Sequence, residues 1–299
     1  MPKTDWPQTP KQQAARHVGL AWRHAGPLRI IDPDKRDGAN IYRAAHVSRT
    51  VALANRRDPA APAGANDLAY RRAFDRRKQW FDNHGAVWRR VTIDGRLFTG
   101  LGERGVYETQ AALHPVTGLP RLPGSGLKGL LRAWCFHQHQ LHAQADAAFA
   151  QALPLSALRR LFGHAPLPKA DAARLPAGEA EDDSPMAGLL QIHDAWWDPD
   201  SDVGPLANEV DTPHHPDYYA GRAPYARDTD SPVPNPQLAI AGTLLLAIDS
   251  THIGQEWATL CMEWLLAALA EEGAGARRTA GYGRMAPGAL RLCLPVRSD

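Results

Sequence analysis

The spacing of hydrophobic positions changes several times along the chain, and two stretches predict amphipathic helices. In the first, apolar residues follow a helical repeat after a Ser125 N-cap, at Leu127, Leu130, Leu131, Trp134 and Leu141. The second, over 256–272, places a stripe of large side chains on one face: Trp257, Leu260, Trp264, Leu265 and Leu269. This stripe is typical of a helix that packs on a core.

Other stretches predict strands. The segment 87–97 is rich in β-forming residues around an Asp94-Gly95 turn, and 187–197 and 236–249 are apolar enough to be buried strands. A last strand is predicted after the glycine-rich loop near the C-terminus. From residue 88 onward the order is therefore strand, helix, strand, strand, helix, strand. This α+β order is the ferredoxin-like βαββαβ pattern, which RNA-recognition motifs share with many unrelated proteins.

Two domains are expected. Residues 1–84 form a partly helical N-terminal extension, with a helix over 40–56, a Pro/Ala/Gly connector and a basic helix over 68–80. Residues 85–299 form the ferredoxin-like domain, which carries an acidic, proline-rich insertion at 198–235 between its second and third core strands. The basic helix either lines a nucleic-acid groove or is a solvated face; its cations are Arg71, Arg72, Arg76, Arg77 and Lys78.

Length and composition narrow the class of protein. A chain of 299 residues with 44% hydrophobic residues can bury a substantial core. Its longest apolar stretch, 238–248, is too short to cross a bilayer, and its first residues lack the apolar run of a secretory signal. The three cysteines are far apart, so we expect no disulfide framework, no cysteine zinc site and a cytoplasmic location.

The net charge of +2 conceals a strong segregation of charge. Residues 1–110 hold 20 Lys/Arg and 11 Asp/Glu, and residues 111–180 hold 7 and 3. Residues 181–272 hold 2 and 17, whereas the tail from 273 holds 5 and 1. Unless interleaved segments average the field, such a chain presents a basic face to a polyanion and an acidic face to solvent or to a basic neighbour.

A first glycine segment, GLPRLPGSGLKGLLR at 118–132, opens the first predicted helix. Small residues there leave main-chain N–H groups accessible at the positive end of the helix dipole, and two cations follow on its first turns. We interpret this as an anion cradle without the spacing of a nucleotide-binding P-loop, although an ordinary helix start has the same composition. Its candidate residues are Gly124, Ser125, Gly126, Lys128 and Arg132.

A second glycine segment, GAGARRTAGYGRM at 273–285, follows the second helix. It has more glycines than a helix end requires, and it lacks the downstream acidic residue of a dinucleotide site. Arginines for charge and a tyrosine for stacking favour binding of a sugar-phosphate backbone. The candidates are Gly275, Arg277, Arg278, Gly281, Tyr282 and Arg284. The hypothesis requires that both glycine segments converge on one surface.

Three other functions stay open. A metal-dependent nuclease would use His and Asp side chains, here His193, Asp194, Asp211, His214, His215 and Asp217, although their spacing matches no tight ligand motif. A metal-independent ribonuclease would use His114 as acid or base, although a histidine before a proline is more often a loop anchor. A pure scaffold that contacts only proteins would explain the acidic stretch.

The motifs resemble those of the RAMP superfamily of CRISPR proteins, and more narrowly those of subunit six of the Cmr (type III-B) effector complex. The stretches that carry the resemblance are LHPVTGLPRLPGSGLKGLLRAW, IHDAWW, DTPHHPDYY and GAGARRTAGYGR, in this order over about residues 88–290. The family favours a second Ser or Thr where this chain has Gly126, and Lys-Thr where it has Arg277-Arg278.

This resemblance implies a non-catalytic RNA-binding subunit of an antiviral ribonucleoprotein, with an RRM-like RAMP core and no metal or other cofactor. Such a subunit caps the row of backbone subunits near the 3′ end of the guide RNA. Its expected partners are the guide CRISPR RNA, the target RNA, the backbone RAMP subunit, the small helical subunit and the neighbouring capping RAMP subunit, with no membrane. A RAMP-type endoribonuclease acting on CRISPR RNA is the alternative.

The insertion 198–235 corresponds to a thumb that packs on a neighbour, with Trp197, Tyr218, Tyr219 and Tyr225 as contact residues.

Overall fold

The structure is a computed structural model, and it describes residues 22, 36–55, 68–102, 109–145, 153–164 and 185–285. Its helices are α1 (Arg36–Ala54), α2 (Leu68–Asn83), α3 (Gly124–Ala145), α4 (Leu155–Phe162), α5 (Pro216–Tyr219) and α6 (Gly254–Glu271), with a 3₁₀ turn at Arg278–Ala280. Its strands are β1 (Val87–Thr92), β2 (Arg121–Leu122), β3 (Gly163–His164), β4 (Met186–Ala187), β5 (Gln191–Ile192), β6 (Ala195–Trp197), β7 (Leu206–Asp211), β8 (Asn235–Ile240) and β9 (Thr243–Asp249). The fold is mixed α and β, as expected.

The chain divides into two compact units, and each of them is built from three separate segments. The first unit comprises Met1–Phe74, Gly95–Arg121 and Trp197–Thr243, and the second comprises Asp75–Asp94, Leu122–Trp196 and Leu244–Asp299. The predicted boundary after residue 84 lies inside the second unit, whereas the insertion 198–235 lies in the first. Both glycine segments belong mainly to the second unit.

In the first unit, β7 and β8 form an antiparallel hairpin whose register runs from Leu206↔Ile240 to Asp211↔Asn235. Helix α1 packs against both strands. The side chain of Asn55, at the end of this helix, donates to Leu206 O at 2.8 Å and accepts from the Leu206 N–H at 3.2 Å. These two hydrogen bonds fix the helix end to the first residue of the hairpin.

A five-stranded sheet, most of whose residues belong to the second unit, has the order β1-β9-β6-β2, and β5 also pairs with β9. The pair β5/β9 is antiparallel, with Gln191 opposite Asp249 and Ile192 opposite Ile248. Every residue of Leu244–Ile248 is buried, so β9 has no solvated face. A continuous apolar run is the sequence pattern of such a strand.

Several predicted elements are confirmed with small shifts in their bounds. The helix predicted over 40–56 spans Arg36–Ala54, and that predicted over 256–272 spans Gly254–Glu271. The first core helix begins at Gly124 rather than after a Ser125 N-cap. The predicted last strand after Met285 lies outside the described residues. No helix among those described is both long and apolar enough to span a bilayer.

Two predicted strands are divided. The run 236–249 contains β8 and β9, which belong to different sheets, because Gly242 between them adopts a φ of +89° that other residues rarely take. The run 187–197 contains three short strands separated by Gly188–Leu190 and by His193-Asp194. The Asp94-Gly95 turn is present, with φ +78° at Gly95, but Leu97 then pairs with Ile240, so β1 is not half of a local hairpin.

Candidate nucleic-acid interface

The first glycine segment is anchored by its first residue. The Gly124 N–H donates to the Asp194 carboxylate at 2.8 Å, and a Cβ added at Gly124 would overlap the main-chain carbonyl of Ile192. Glycine is therefore required here for close packing of α3 on the segment between β5 and β6. The expectation of a free Gly124 amide is wrong, because a carboxylate of the chain itself already accepts from the helix N-terminus.

Lys128 is also engaged within the second unit. Its ammonium donates to Leu190 O at 2.8 Å, and burial lowers the pKa of this amine. Removing an ammonium from water disfavours its charged form, which is the physical cause of the shift. Lys128 thus fixes the main chain ahead of β5, in the position where the sequence predicts a phosphate ligand.

The rest of the first segment faces solvent. Ser125, Gly126, Gly129 and Arg132 are exposed, and Gly129 lies three or four residues from each of the other three, which places them on one face of α3. A Cβ at Gly126 would meet nothing within 4 Å, so another molecule can approach its main chain closely. The Arg132 guanidinium lies 4.7 Å from the centre of the Phe136 ring, and no carboxylate in the described residues pairs with it.

The second glycine segment closes on itself. Ala274 N–H donates to Gly283 O at 2.8 Å, and Met285 N–H donates to Leu269 O at 3.2 Å. Asp94 N–H donates to Arg284 O at 2.8 Å, and Ile93 and Met285 form an antiparallel bridge, so the loop is fixed to the end of β1. Gly273 and Gly283 both have positive φ and are buried where the two ends of the loop meet: Gly273 packs against Gly283, and Gly283 packs against Ala274. Gly275 and Gly281 are exposed.

The cationic side chains of this loop differ in their surroundings. Arg277 is half-buried and has a left-handed main chain with φ 58°. Arg278 is exposed and lies 3.6 Å from the Glu272 carboxylate. Arg284 is exposed, and its guanidinium has no partner in the described part of the chain. Tyr282 is half-buried. A polyanion would therefore meet Arg284 and, with competition from Glu272, Arg278.

The two segments are anchored to different strands of one sheet. The first contacts the main chain between β5 and β6, and the second is bonded to the end of β1. Only β9 separates β1 from β6 in the sheet order, which corresponds to a lateral distance of about 10 Å. Both anchors thus belong to the second unit, and convergence of the exposed residues on one surface stays a prediction.

Sequence analysis missed the role of His193-Asp194 and of Arg77. The Arg77 guanidinium lies 4.4 Å from the Trp196 ring and 5.2 Å from the Phe81 ring, and it donates to Asp194 O at 3.0 Å. Burial and, next, Arg77 lower the pKa of His193, while Asp249 and Asp194 act in the opposite direction. The available signal was a polar pair inside the apolar run 187–197. Arg77 therefore has an internal role and does not line an open groove.

The residues of the enzymatic alternatives have other contacts. His114 Nδ1 accepts from the Val116 and Thr117 N–H groups, each at 3.3 Å, so this ring organises its own turn. His215 pairs with Asp230 at 3.0 Å, and Asp217 binds Arg222. Across the described ranges, no group of three or more His, Cys, Asp or Glu side chains is arranged to hold a metal ion.

Residues 198–235, the predicted insertion, contain β7 and the tip of the β7–β8 hairpin. Tyr218, Tyr219 and Tyr225 are 44%, 71% and 58% exposed, as a contact surface requires. Trp197 is 1% exposed and donates to Ala241 O, so the prediction that it contacts a neighbour is wrong. Its ring packs in the core of the first unit instead.

Several solved structures are similar to this chain, and the first of them shares its fold. A chain of "Cryo-EM structure of the Type III-B Cmr-beta bound to cognate target RNA" is 17% identical, with a TM-score of 0.52, over 88% of this chain and 78% of that one. "Crystal structure of Cmr6 from Pyrococcus furiosus" is 23% identical, with a TM-score of 0.36, over 68% and 98%. A chain of "CRISPR RNA-guided surveillance complex" is 15% identical, with a TM-score of 0.35, over 67% and 66%.

No curated protein matches the chain at a significant level. The sequence model described as the RAMP superfamily matches residues 90–286, which include helix α3, residues 198–235 and both glycine segments. This match covers well over half of the chain. The chain belongs to the RAMP superfamily.

Proposed function

We propose that the chain is a non-catalytic RNA-binding subunit of a type III-B CRISPR (Cmr) effector complex, in which it caps the backbone subunits near the 3′ end of the guide RNA. One observation carries the proposal: the RAMP match over residues 90–286 contains both glycine segments, and their exposed residues include two arginines, Arg132 and Arg284, that pair with no carboxylate in the described part of the chain. The similarity of fold to a chain of a Cmr-β complex bound to target RNA supports the same assignment.

The core of this subunit has, we infer, the ferredoxin-like topology. In chain order β1, α3, β6, β9 and α6 are the first five elements of the βαββαβ pattern, and β9 lies between β1 and β6 as the third strand should. The hairpin β7–β8 lies between the second and third core strands. The bridge between Ile93 and Met285 places Met285 beside the end of β1, the strand with which the fourth core strand of the pattern pairs.

The RNA contact follows from main-chain access and charge. Gly126, Gly275 and Gly281 carry no side chain that would keep a sugar-phosphate strand away, and Arg132 and Arg284 supply cations beside them. Contacts of this kind position a strand without reading its bases. Both faces of β9 are buried, so this strand cannot bind RNA on an exposed sheet surface as an RNA-recognition motif does. The proposed binding elements are therefore the loop 273–285 and the exposed face of α3.

Protein partners are proposed to contact the tip of the β7–β8 hairpin, between residues 212 and 234. This tip is held by its own hydrogen bonds: Val233 N–H donates to Pro213 O at 3.1 Å, and His215 binds Asp230 at 3.0 Å. A preorganised tip with exposed tyrosines loses little conformational entropy when it binds. The backbone RAMP subunit, the small helical subunit and the neighbouring capping subunit are the proposed partners.

Copurification tests the proposal directly. The chain is expressed with the other subunits of its complex and a guide RNA, and the tagged chain is recovered. We expect it to return a ribonucleoprotein that contains the guide. Recovery of the chain without subunits and without guide RNA would contradict the proposal.

A second assay separates a binder from an enzyme. Purified chain is incubated with end-labelled RNA, with and without magnesium or manganese, and we expect intact RNA in every reaction. Cleavage that His114→Ala or Asp211→Ala abolishes would transfer the assignment to a RAMP-type endoribonuclease. Asp82→Ala is the matched control, because its exposed carboxylate binds Lys78 and Trp88 and belongs to none of the candidate catalytic sets.

A further inference from the structure

A cleft of about 590 Å³ lies in the second unit beside Arg132, the last residue of the exposed face of α3 that begins at Ser125. Its walls include Arg132 on α3, Phe162 at the end of α4, His164 on β3, and Met186 and Ala187 on β4. The volume is within the range of small-molecule sites, about 300–1,000 Å³. Among the described residues the lining is mainly apolar, and its polar side chains are those of Arg132 and His164.

Main-chain contacts fix the shape of this cleft. Strands β3 and β4 are antiparallel, with His164 opposite Met186, and a Cβ at Gly163 would lie 2.6 Å from Met186 O. Leu189 N–H and Leu190 N–H donate to Arg160 O and Leu161 O at 3.0 and 2.9 Å, which ties the residues between β4 and β5 to the end of α4. The cleft is thus preformed by backbone geometry.

The polar groups in the cleft have no hydrogen-bond partner among the described residues. Both ring nitrogens of His164 are shielded from solvent, so a ligand reaches them only after the ring rotates. A neutral imidazole offers one donor and one acceptor, and either of them can form one hydrogen bond to the edge of a nucleobase. The Arg132 guanidinium is held over Phe136, whose ring lies 6.5 Å from that of Phe162, so cation and aromatic surface are adjacent.

We propose that this cleft binds one unstacked base of the RNA strand whose backbone follows the exposed face of α3. The inference rests on the proposed function. Gly126 and Arg132 are six residues apart on one helix, or about 9 Å along its axis, so a strand held at Gly126 reaches the cleft within a few nucleotides. Arg132 binds the phosphate, the base enters between Phe162 and Met186, and His164 binds its edge.

An abasic scan tests the inference on the unmodified chain. Single-stranded RNAs of about 16 nucleotides, each with one abasic site at a different position, are compared by their affinity for the purified protein. Every RNA has the same 3′ end, taken from the guide, so that all of them bind with the same nucleotides at the same positions of the protein. We expect one position at which loss of the base weakens binding about tenfold, a value within the range of base stacking on aromatic side chains.

Two variants locate that base. Ala187→Trp fills the cleft from an exposed position without any change of charge, and it should lower affinity about tenfold and remove the sensitivity to the abasic site. Leu189→Trp is the matched control, because Leu189 is also exposed and close by but does not line the cleft. His164→Phe keeps a ring and should abolish any preference for the base at that position.

The outcomes separate this inference from the function on which it rests. If the RNA binds and Arg284→Ala weakens it, but no abasic position matters, the cleft holds no base and the proposed function stands. If Ala187→Trp and Leu189→Trp behave alike, the base lies elsewhere. If Ala187→Trp leaves RNA binding intact and instead prevents assembly with a protein subunit, the cleft receives a protein side chain. If no RNA binds to the chain or its complex, both proposals fail.

Discussion

Arg277 adopts a main-chain conformation that favours glycine. It is the one non-glycine residue with positive φ in the described ranges, at φ 58°. A left-handed conformation costs a residue with a Cβ about 1–2 kcal/mol. Strain of this kind persists where the surroundings impose it, and it often marks a functional position. The guanidinium of Arg277, rather than its backbone, is the reason that we infer for an arginine here.

Arg277→Gly separates these two contributions. Relief of backbone strain opposes the larger entropy of the unfolded chain, so the free energy of unfolding should change by less than about 1 kcal/mol. RNA affinity should fall about fivefold, the effect of about 1 kcal/mol, because the cation is lost. Urea denaturation and filter binding measure the two quantities. An unchanged affinity would assign Arg277 a structural role only.

Arg284 and Arg278 provide a matched pair for the charge argument. Arg278 lies 3.6 Å from Glu272, whereas the Arg284 guanidinium has no partner in the described part of the chain. Binding of a phosphate to Arg278 must compete with a carboxylate. We therefore expect Arg284→Ala to weaken RNA binding about tenfold and Arg278→Ala by about threefold, each measured at low salt. The reverse order would show that the ion pair does not persist in solution.

Residue types at the candidate site could be predicted from the sequence, but their partners could not. Glycine segments beside cations indicated where main chain and charge are exposed, and this holds for Gly126, Arg132 and Arg284. Gly124 and Lys128 bind Asp194 and Leu190, which are 70 and 62 residues away in the chain. Local pattern contains no information on such long-range pairs, so a residue that fixes the fold resembled one that binds a ligand.

At the scale of elements, the two glycines of the α3 N-terminus have opposite packing. A Cβ at Gly124 would overlap main chain that cannot move freely, whereas one at Gly126 would meet open space. Gly124→Ala should therefore lower the free energy of unfolding by about 1–3 kcal/mol. Gly126→Ala should keep it or raise it by up to about 1 kcal/mol, because alanine favours helix. Thermal denaturation of both variants decides the point, and equal effects would contradict the packing argument.

The periodicity of apolar residues identified the helices well and the strands less well. The stripe of the last helix gave its bounds to within two residues, because a full helical face has to be buried. The runs 187–197 and 236–249 are mostly apolar, and such runs do not show where one strand ends and another begins. The strands end at Gly242 and at the His193-Asp194 pair, and these ends could be recognised only once the pairing of the neighbouring strands was known.

At the scale of the molecule, folding should depend on pH through a buried histidine of the first unit. His46 is 5% exposed, its ring stacks on Trp22, and its Nε2–H donates to Trp22 O at 3.0 Å. Burial lowers the pKa of His46 below 6.5, an effect that the Trp22 hydrogen bond opposes and that Arg49 reinforces. The folded state thus resists protonation more than the unfolded chain does.

It follows that the stabilising contribution of neutral His46 is complete above about pH 6.5 and is lost as the pH falls towards the lower pKa of the folded state. The free energy of unfolding should fall between pH 7 and pH 5, with a slope of at most about 1.4 kcal/mol per pH unit for this group. The midpoint temperature of thermal unfolding should fall with it. His46→Gln retains an N–H donor and cannot be protonated, so its pH profile should be flatter. An identical profile would exclude His46 as the source.

The interleaved units explain why the charge blocks of the sequence do not map onto domains. The acidic stretch 181–272 contributes β5, β6, β9 and α6 to the second unit and the β7–β8 hairpin to the first. The prediction that survives from charge is that guide RNA avoids the hairpin tip, which has exposed carboxylates such as Asp217. Crosslinks from RNA to residues 198–235 would contradict it.

The central requirement is that a single RNA strand contacts both glycine segments, and the length of the RNA tests it. The anchors of the segments are about 10 Å apart across the sheet, so an RNA of about four to six nucleotides should reach both if they face one surface. On such a short RNA, Arg132→Ala and Arg284→Ala should each weaken binding, and their free-energy effects should add in the double variant. The slope of log affinity against log salt should fall by about 0.7 for each lost contact. If only one of the two substitutions affects the short RNA and the other appears only on long RNA, the segments face different directions and the common surface does not exist.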